Sequence, residues 1–571
     1  MPRRHKGLVA AGVLALGGLA LGSAVYAATP GFTGDRSADL AAAINPEKPR
    51  NVILIIGDGT DDSIITAARN YELGAAGRFA LDELPFTGAM TTYGLKLGTG
   101  PDYPINYVSD SAPTASGWST GKKTVDSRLS QGPSDLDTKP GTDYETVLEK
   151  YKKQGKRTGN VSTAEITDAT PAAAASHINL RACQDPTAMA SCQTALKANG
   201  GKGSIAEQLV DNKIDVILGG GLTRYNQTVP SSTQSVLQYA QTNYKYQFVG
   251  DKTGLAGLNT LANGPILGLF TPGNMTPRYK ALPATALGAG GPDKKCETAD
   301  RGTQPTLAAM TDKAIQLLDN DKGFFLQVES AMIDKQEHSS DICGAIGDVL
   351  EMDEALKVAQ AYQKKNPDTL IIVTGDHAHS TQIVGNGGTT PDATGATGGK
   401  ATATLKTADG DPMTVAYSTA PIGSSQSHTG SQIRVAASGP QAANVTGTID
   451  QTDLFATMLG RTPSKLPSGP TTTIPAPTPA PVVAVLADSK ISAKQLRSTG
   501  LKVTTNVSGA TSVKVTVLKG SKTLATKSVG TFGGNARIKI KSSVKGTIKV
   551  VVTAKGPGGT KTKTVTVKVT R

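Results

Sequence analysis

Asn51-Val52-Ile53-Leu54-Ile55-Ile56-Gly57-Asp58-Gly59 decides the fold of this 571-residue chain. Residues 52–56 are apolar without interruption, and the run stops at a Gly-Asp-Gly turn. A strand with one wet face alternates polar and apolar side chains. An unbroken run belongs to a strand covered on both faces, as in a parallel sheet packed between helices. Working outward, Phe324-Phe325-Leu326-Gln327-Val328 and Thr369-Leu370-Ile371-Ile372-Val373-Thr374 read as further buried strands. Segments 306–319 and 346–364 are helical in pattern; in the first, Leu307, Met310, Ala314, Ile315 and Leu318 recur on one side. This rhythm, from about residue 47 to 461, predicts an α/β fold with a largely parallel central sheet flanked by helices.

The polar residues sit where such a sheet does its chemistry. Asp58 follows the first strand, Glu329 follows Val328, and Asp376-His377 follows the 369–374 run. Open α/β sheets collect their sites at the carboxyl ends of the strands, so these three ends can converge.

Histidine points the same way. The chain has only six, and four lie in Asp334-Lys335-Gln336-Glu337-His338, Asp376-His377-Ala378-His379 and Ser427-His428-Thr429. Imidazole mixed with carboxylate suits zinc and other hydrolytic metal centres. Taken singly, each cluster is weak. Asp334 and His338 are four apart, which on a helix makes either a shared metal site or an ordinary acid–imidazole pair. Asp376 and His377 are adjacent and need a turn to converge, with Gly375 as its pivot. Asp110-Ser111-Ala112 is either a helix cap or a nucleophile at a helix N-terminus, where amide N–H groups favour an anion.

The joint occurrence is specific. Ile56-Gly57-Asp58-Gly59, Asp110-Ser111-Ala112, Asn160-Val161-Ser162-Thr163-Ala164-Glu165, Asp168-Ala169-Thr170-Pro171, Val328-Glu329, Asp334 to His338, Thr374-Gly375-Asp376-His377-Ala378-His379 and His428-Thr429-Gly430 occur in this order. The set closely resembles the bacterial alkaline phosphatase family over about residues 51–458. The resemblance implies an alkaline-phosphatase-like fold and a phosphomonoesterase holding two zinc ions and one magnesium ion.

By that resemblance Ser111 is the nucleophile that becomes phosphorylated. Asp334, His338 and His428 match the first zinc's ligands, and Asp58, Asp376 and His377 the second's. Thr170 and Glu329, with Asp58, match the magnesium ligands. Arg181 matches the phosphate clamp and Asp110 its orienting partner. Asp168 and Lys335 match positions beside magnesium and phosphate, and His379 one supporting Asp334. The resemblance also implies a homodimer and small phosphomonoester substrates.

Physical chemistry supports such a set. A phosphate monoester dianion repels nucleophiles, so its site needs concentrated positive charge. Two metal ions about 4 Å apart can hold the attacking and leaving oxygens of an in-line displacement. Arginine grips two phosphate oxygens at once, which lysine does not. Thr60-Asp61, Pro113 and Gly375 depart from the family's commoner residues, and none removes a ligand.

The ends of the chain differ from its body. Arg3, Arg4 and Lys6, an apolar run over 8–24 and Val25-Tyr26-Ala27 read as a secretory signal over 1–27, cleaved after Ala27; Sec and Tat export both remain open. No second apolar segment is long enough to span a bilayer, so the mature chain (catalytic domain 28–461) is expected to be secreted, extracellular or envelope-associated. Four cysteines allow three pairings, among which closure of short loops favours Cys183–Cys192 and Cys296–Cys343. Without C-x-x-C spacing, disulfides are a better reading than a zinc-cysteine site, in keeping with an oxidising compartment.

Residues 462–481 are rich in Pro, Thr and Ser and read as an extended linker. Residues 482–571 alternate with period two, as in 513–517, 538–541, 548–552 and 565–569, and predict a small antiparallel all-β sandwich of immunoglobulin-like type. This tail carries 18 Lys and Arg against one acid, Asp488, so +17 of the chain's net +13 lies here and residues 1–481 hold −4. That division suggests electrostatic association of 482–571 with an anionic cell-wall polymer or another polyanion.

Overall fold

The structure is a computed structural model that describes residues 34–230, 232–385, 400–462 and 480–571. The signal segment 1–27 and nearly all of the 462–481 linker lie outside the described residues. The chain forms two compact units, Met1–Pro463 and Ser464–Arg571.

The first unit is built on a ten-stranded sheet. Its strands in chain order are β1 (Asn51–Gly57), β2 (Phe86–Thr91), β3 (Arg157–Glu165), β4 (Val216–Gly220), β5 (Gln247–Val249), β6 (Ile266–Leu269), β7 (Phe324–Ser330), β8 (Thr369–Gly375), β9 (Ile433–Ser438) and β10 (Gly447–Asp450). In space the order is β10-β2-β9-β8-β1-β7-β3-β4-β6-β5. All pairs from β8 to β5 are parallel, while β9 runs antiparallel to both β8 and β2.

The continuous apolar run of β1 is explained by its place at the centre. Ile53 and Ile55 enter one core, with residues of the helices Asp62–Leu73, Leu307–Leu318 and Ile342–Gln363. Val52, Leu54 and Ile56 enter a second core on the other face, with residues of the helices Ser111–Thr120 and Ile205–Asp211. Every residue of β1, β7 and β8 is buried. A polar residue in these strands is costly unless it is paired. Gln327 in β7 is paired: it donates to the Thr170 carbonyl at 2.9 Å and accepts from Trp118 Nε1 at 3.3 Å.

Register delivers the site. Ile56 pairs with Glu329 on one side and Thr374 on the other, and Glu329 pairs with Ser162. Asp58 and Asp376 therefore leave neighbouring strands at the same level, beside Glu329. The helix read over 346–364 starts earlier, at Ile342, because Asp341 caps it by accepting from the Cys343 and Gly344 amides. Both expected disulfides, Cys183–Cys192 and Cys296–Cys343, are formed.

The second unit has two sheets, one of three strands and one of five, around a shared apolar core that includes Val503, Val515, Val550 and Val567. It is not wholly antiparallel, since Lys490–Ser492 pairs parallel with Gly559–Thr570. The strand expected at 538–541 lies instead at Gly533–Ile538, and Ile540 donates its amide to the Leu496 carbonyl outside the sheet. The sequence pattern missed Lys522–Val529, an edge strand whose exposed positions break the alternation.

Candidate active site

Ser111 opens the helix Ser111–Thr120, and Asp110 is its N-cap, accepting from the Ala112 amide at 3.4 Å. The helix is buried along its whole length, so Ser111 is held firmly; its side chain is 2 % exposed. Its Oγ lies 3.3 Å from Asp58 Oδ1 and 3.3 Å from His377 Nε2. The hydroxyl thus stands at the edge of a donor cluster formed by Asp58, Asp376 and His377.

This first cluster comes from adjacent strand ends. The peptide after Asp58 turns back through Gly59, whose φ is +69° and whose amide donates to Asp376 Oδ1 at 2.8 Å. A Cβ on Gly59 would lie 3.0 Å from the Asp334 Cα. β8 ends at Gly375, and the bend beyond it brings Asp376 and His377 together, with His377 Nε2 3.3 Å from Asp376 Oδ2. Gly375 is thus a pivot and also a point of close approach, because a Cβ there would stand 2.3 Å from the Thr60 carbonyl oxygen.

A second cluster unites Asp334, His338, His379 and His428. Asp334 and His338 share one face of the helix Met332–His338. Three imidazoles converge on one oxygen: Nε2 of His338, His379 and His428 lie 3.3, 3.2 and 3.2 Å from Asp334 Oδ1. Backbone carbonyls set the rings, since Nδ1 of His338 meets the Gln426 carbonyl and Nδ1 of His428 the Ser109 carbonyl. His377 and His428 stack at 3.7 Å between centroids, so the two clusters adjoin.

On the other side of Asp58, Glu329 accepts from the Ser162 hydroxyl, and Thr170 lies in the short helix Ala169–Ala173 behind its N-cap Asp168. Asp168 accepts from Lys335 Nζ at 2.6 Å and from Arg181 Nη2 at 2.5 Å. Arg181 also donates through Nη1 to Asp110 Oδ1 at 2.8 Å. Thirteen of the fourteen sequence-predicted residues are therefore linked directly or through one neighbour, and Thr170 stands two residues after Asp168 in the short helix that Asp168 caps. His177 lies elsewhere, between the Ser130 carbonyl and Glu149.

The electrostatics are those of a cation site. Burial first, then the carboxylates of Asp334, Asp376 and Glu329, pushes Asp58 well above the usual carboxylate range. Burial likewise pushes Glu329 up to about 8 and Asp376 up to about 6. Asp334 is held well below its ordinary value: burial opposes this, but the imidazoles of His379 and His428 outweigh it. Asp168 is low against the same opposition, because Lys335 and Arg181 face it.

At the site, two buried oxygens, Asp376 Oδ2 and Thr170 Oγ1, have no hydrogen-bond partner among the described residues. Lone pairs left bare inside a protein cost free energy unless a ligand takes them. Nitrogen and carboxylate donors in the two clusters fit zinc, and the oxygen donors of Thr170, Glu329 and Asp58 fit magnesium.

Sequence reasoning missed the residues that orient these groups. The carbonyls of Ser109 and Gln426 carry no side-chain signal. Ser162 lies in a quoted motif, but only the β3–β7 register shows that it faces Glu329. Asp348 is far in sequence, yet its Oδ2 accepts from Ser330 Oγ, the Met332 amide and Thr163 Oγ1 at 2.7, 2.9 and 3.1 Å, tying β7 to the helix that carries Asp334.

Known proteins share this architecture. The alkaline phosphatase family model matches residues 49–422 and 388–461. The chain is 46% identical to the alkaline phosphatase of Escherichia coli (strain K12) over 441 residues, covering 75% of this chain and 89% of that one. It is 44% identical to alkaline phosphatase H of Pseudomonas aeruginosa, covering 74% and 87%. It is 41% identical to the streptomycin-6-phosphate phosphatase of Streptomyces griseus, covering 72% and 90%. The solved alkaline phosphatase of the Antarctic bacterium TAB5 shares the fold, with a TM-score of 0.52 at 23% identity over 72% of this chain and 98% of that one. On this likeness and on the site that the strand ends assemble, the chain belongs to the alkaline phosphatase family and is a hydrolase of phosphate monoesters.

Proposed function

We propose that the chain hydrolyses phosphate monoesters through a phosphoserine formed on Ser111, in a site that holds two zinc ions and one magnesium ion. The observation that carries this is the position of Ser111 Oγ, 3.3 Å from both Asp58 Oδ1 and His377 Nε2 at the first turn of a buried helix. Asp334, His338 and His428 would hold one zinc, Asp58, Asp376 and His377 the other, and Asp58, Thr170 and Glu329 the magnesium. When bound, these ions supply the positive charge that a phosphate dianion requires and lower the pKa of the serine hydroxyl.

The remaining work falls to the chain's own groups. Arg181, fixed at both ends of its guanidinium by Asp110 and Asp168, grips two phosphate oxygens. Lys335, paired with Asp168, adds positive charge beside them. The Ser111 hydroxyl loses its proton to solvent as its oxygen bonds to phosphorus, and the bond from phosphorus to the ester oxygen breaks, the departing alkoxide taking a proton from water. Water then cleaves the phosphoserine, releasing inorganic phosphate and restoring the hydroxyl. His379, against Asp334, keeps that carboxylate in place.

The enzyme works outside the cytoplasmic membrane, a reading supported by two disulfides and by the signal-like segment 1–27, and the family resemblance alone supports its acting as a homodimer. Residues 482–571 retain it electrostatically on an anionic polymer. The test is hydrolysis of a chromogenic phosphate ester with and without chelator, alongside Ser111→Ala. Chelation and the substitution should each lower kcat at least about a thousandfold, the scale of removing a nucleophile or its activator. Activity that survives both would overturn the mechanism.

A further inference from the structure

The second unit concentrates charge on one surface. Its five-stranded sheet runs, in order, Lys490–Ser492, Gly559–Thr570, Gly546–Gly556, Ser512–Lys519 and Lys522–Val529. Val513, Val515, Val517, Ile548, Val550, Val552, Val567 and Val569 point into the core. Because side chains alternate along a strand, the intervening residues form the outer face. They include the exposed Lys490, Lys514, Lys549, Lys555 and Lys568, and between them stand mainly threonines, such as Thr553, Thr562, Thr564 and Thr566. The pairing Lys490↔Lys568 sets two ammonium groups directly opposite. Like charges so placed destabilise a sheet.

Nothing within the unit neutralises this face. Asp488 is the one acid of residues 482–571, and among the described residues none of the unit's 18 cations is in an ion pair. The three-stranded sheet differs. Its outer face offers Lys502 and Arg537 beside the exposed apolar Val482 and Leu486. The five-stranded face therefore combines a cationic surface with hydroxyls, and its lysines are in no ion pair among the described residues.

Chemistry also narrows the partner. Proteins that hold single-stranded nucleic acid stack its bases on aromatic rings. Residues 482–571 contain one aromatic residue, Phe532, which is not in a strand, and 15 of their 18 cations are lysines. Lysine acts as a mobile point charge, suited to phosphates that present no fixed geometry. Alternate residues along a strand are roughly 6.8 Å apart and neighbouring strands about 4.8 Å, a lattice that follows closely spaced charges on a flexible chain.

Building on electrostatic retention, we infer that the outer face of the five-stranded sheet, through Lys490, Lys514, Lys549, Lys555 and Lys568, docks a flexible polyol-phosphate polymer that carries no bases. The test uses the full-length protein and purified poly(glycerol phosphate), with a single-stranded oligonucleotide of equal phosphate number as comparator. One variant replaces the five face lysines by serine, and a matched variant replaces Lys502, Arg537, Lys539, Lys541 and Lys545. All ten are exposed, so both variants should fold, as circular dichroism will show.

The expected result is loss of polymer binding by roughly tenfold or more in the face variant, with a salt dependence shallower by about three to four in log–log slope. The matched variant stays close to wild type, and the oligonucleotide binds no more tightly than the polymer. Equal losses in both variants would overturn the face while leaving electrostatic retention standing. Markedly tighter binding of the oligonucleotide would overturn the base-free class. A wild-type protein that binds neither would overturn electrostatic retention itself, and the inference with it.

Discussion

Gly375 shows how one missing side chain governs the site. The bend after β8 must bring Asp376 and His377 onto the turn after β1, and the Thr60 carbonyl fills the space where a Cβ would stand, 2.3 Å away. Gly375→Ala should therefore push residues 58–60 from Asp58's present position. The expected outcome is a loss of roughly 1–3 kcal/mol in stability, the scale of overpacking, and a fall in kcat that exceeds any change in KM, checked by thermal unfolding and steady-state kinetics. Asp348 tests a buried charge that is not itself a proposed ligand. Burial pushes its carboxyl up to about 6, although the Ser330 hydroxyl pulls it down. A folded-state pKa above the unfolded one means that the group's stabilising contribution is full below about pH 4 and is lost as pH rises through about 6. Asp348→Asn keeps an oxygen for the three donors and cannot ionise. The wild-type protein should therefore lose on the order of 2–3 kcal/mol relative to the variant between pH 4 and 7, read as the difference between their unfolding curves.

At the scale of elements, the site depends on short pieces held by longer ones. The helix Met332–His338 has only seven residues, too few to be stable alone. It is held because the Asp334 amide donates to the Asp58 carbonyl at 3.0 Å and because Asp348, on the 22-residue helix Ile342–Gln363, receives the Met332 amide. The disulfides act on different parts of this framework. Cys296–Cys343 closes a separation of 47 residues and anchors the start of the long helix, whereas Cys183–Cys192 closes only 9 and sits two residues after Arg181. In the chain-entropy model the first contributes about 4 kcal/mol and the second about 3. Cys296→Ser with Cys343→Ser should thus lower the unfolding midpoint more. Cys183→Ser with Cys192→Ser should instead weaken inhibition by inorganic phosphate severalfold, because it loosens the segment that carries Arg181. Comparing denaturation with phosphate inhibition in the two double variants separates these effects.

At the scale of the whole molecule, the proposed reading gives chemistry to the first unit and attachment to the second. Every group of the proposed mechanism lies between Asp58 and His428, and the basic surface lies beyond residue 481. Removal of 482–571 should leave kcat/KM for a small ester within about twofold and abolish salt-sensitive retention on an anionic matrix. A large loss of turnover would show that catalysis needs the second unit.

Much of this was legible in the chain itself. The unbroken run at 52–56 announced a central strand, and the ordered motifs around Ser111, Asp334 and Asp376 identified the family, because metal and phosphate chemistry leaves few residue types to choose from. The period-two tail announced a β-unit, although its edge strand and the shift from 538–541 to Gly533–Ile538 were hidden, since exposed edges constrain side chains weakly. Composition alone determined that the tail is basic. What only the tertiary structure decided is convergence: the register that sets Ser162 against Glu329, the three imidazoles on one oxygen of Asp334, and the gathering of five lysines onto one face. Those depend on contacts between residues distant in the chain, and on backbone carbonyls that every residue shares, so no local pattern of side chains encodes them.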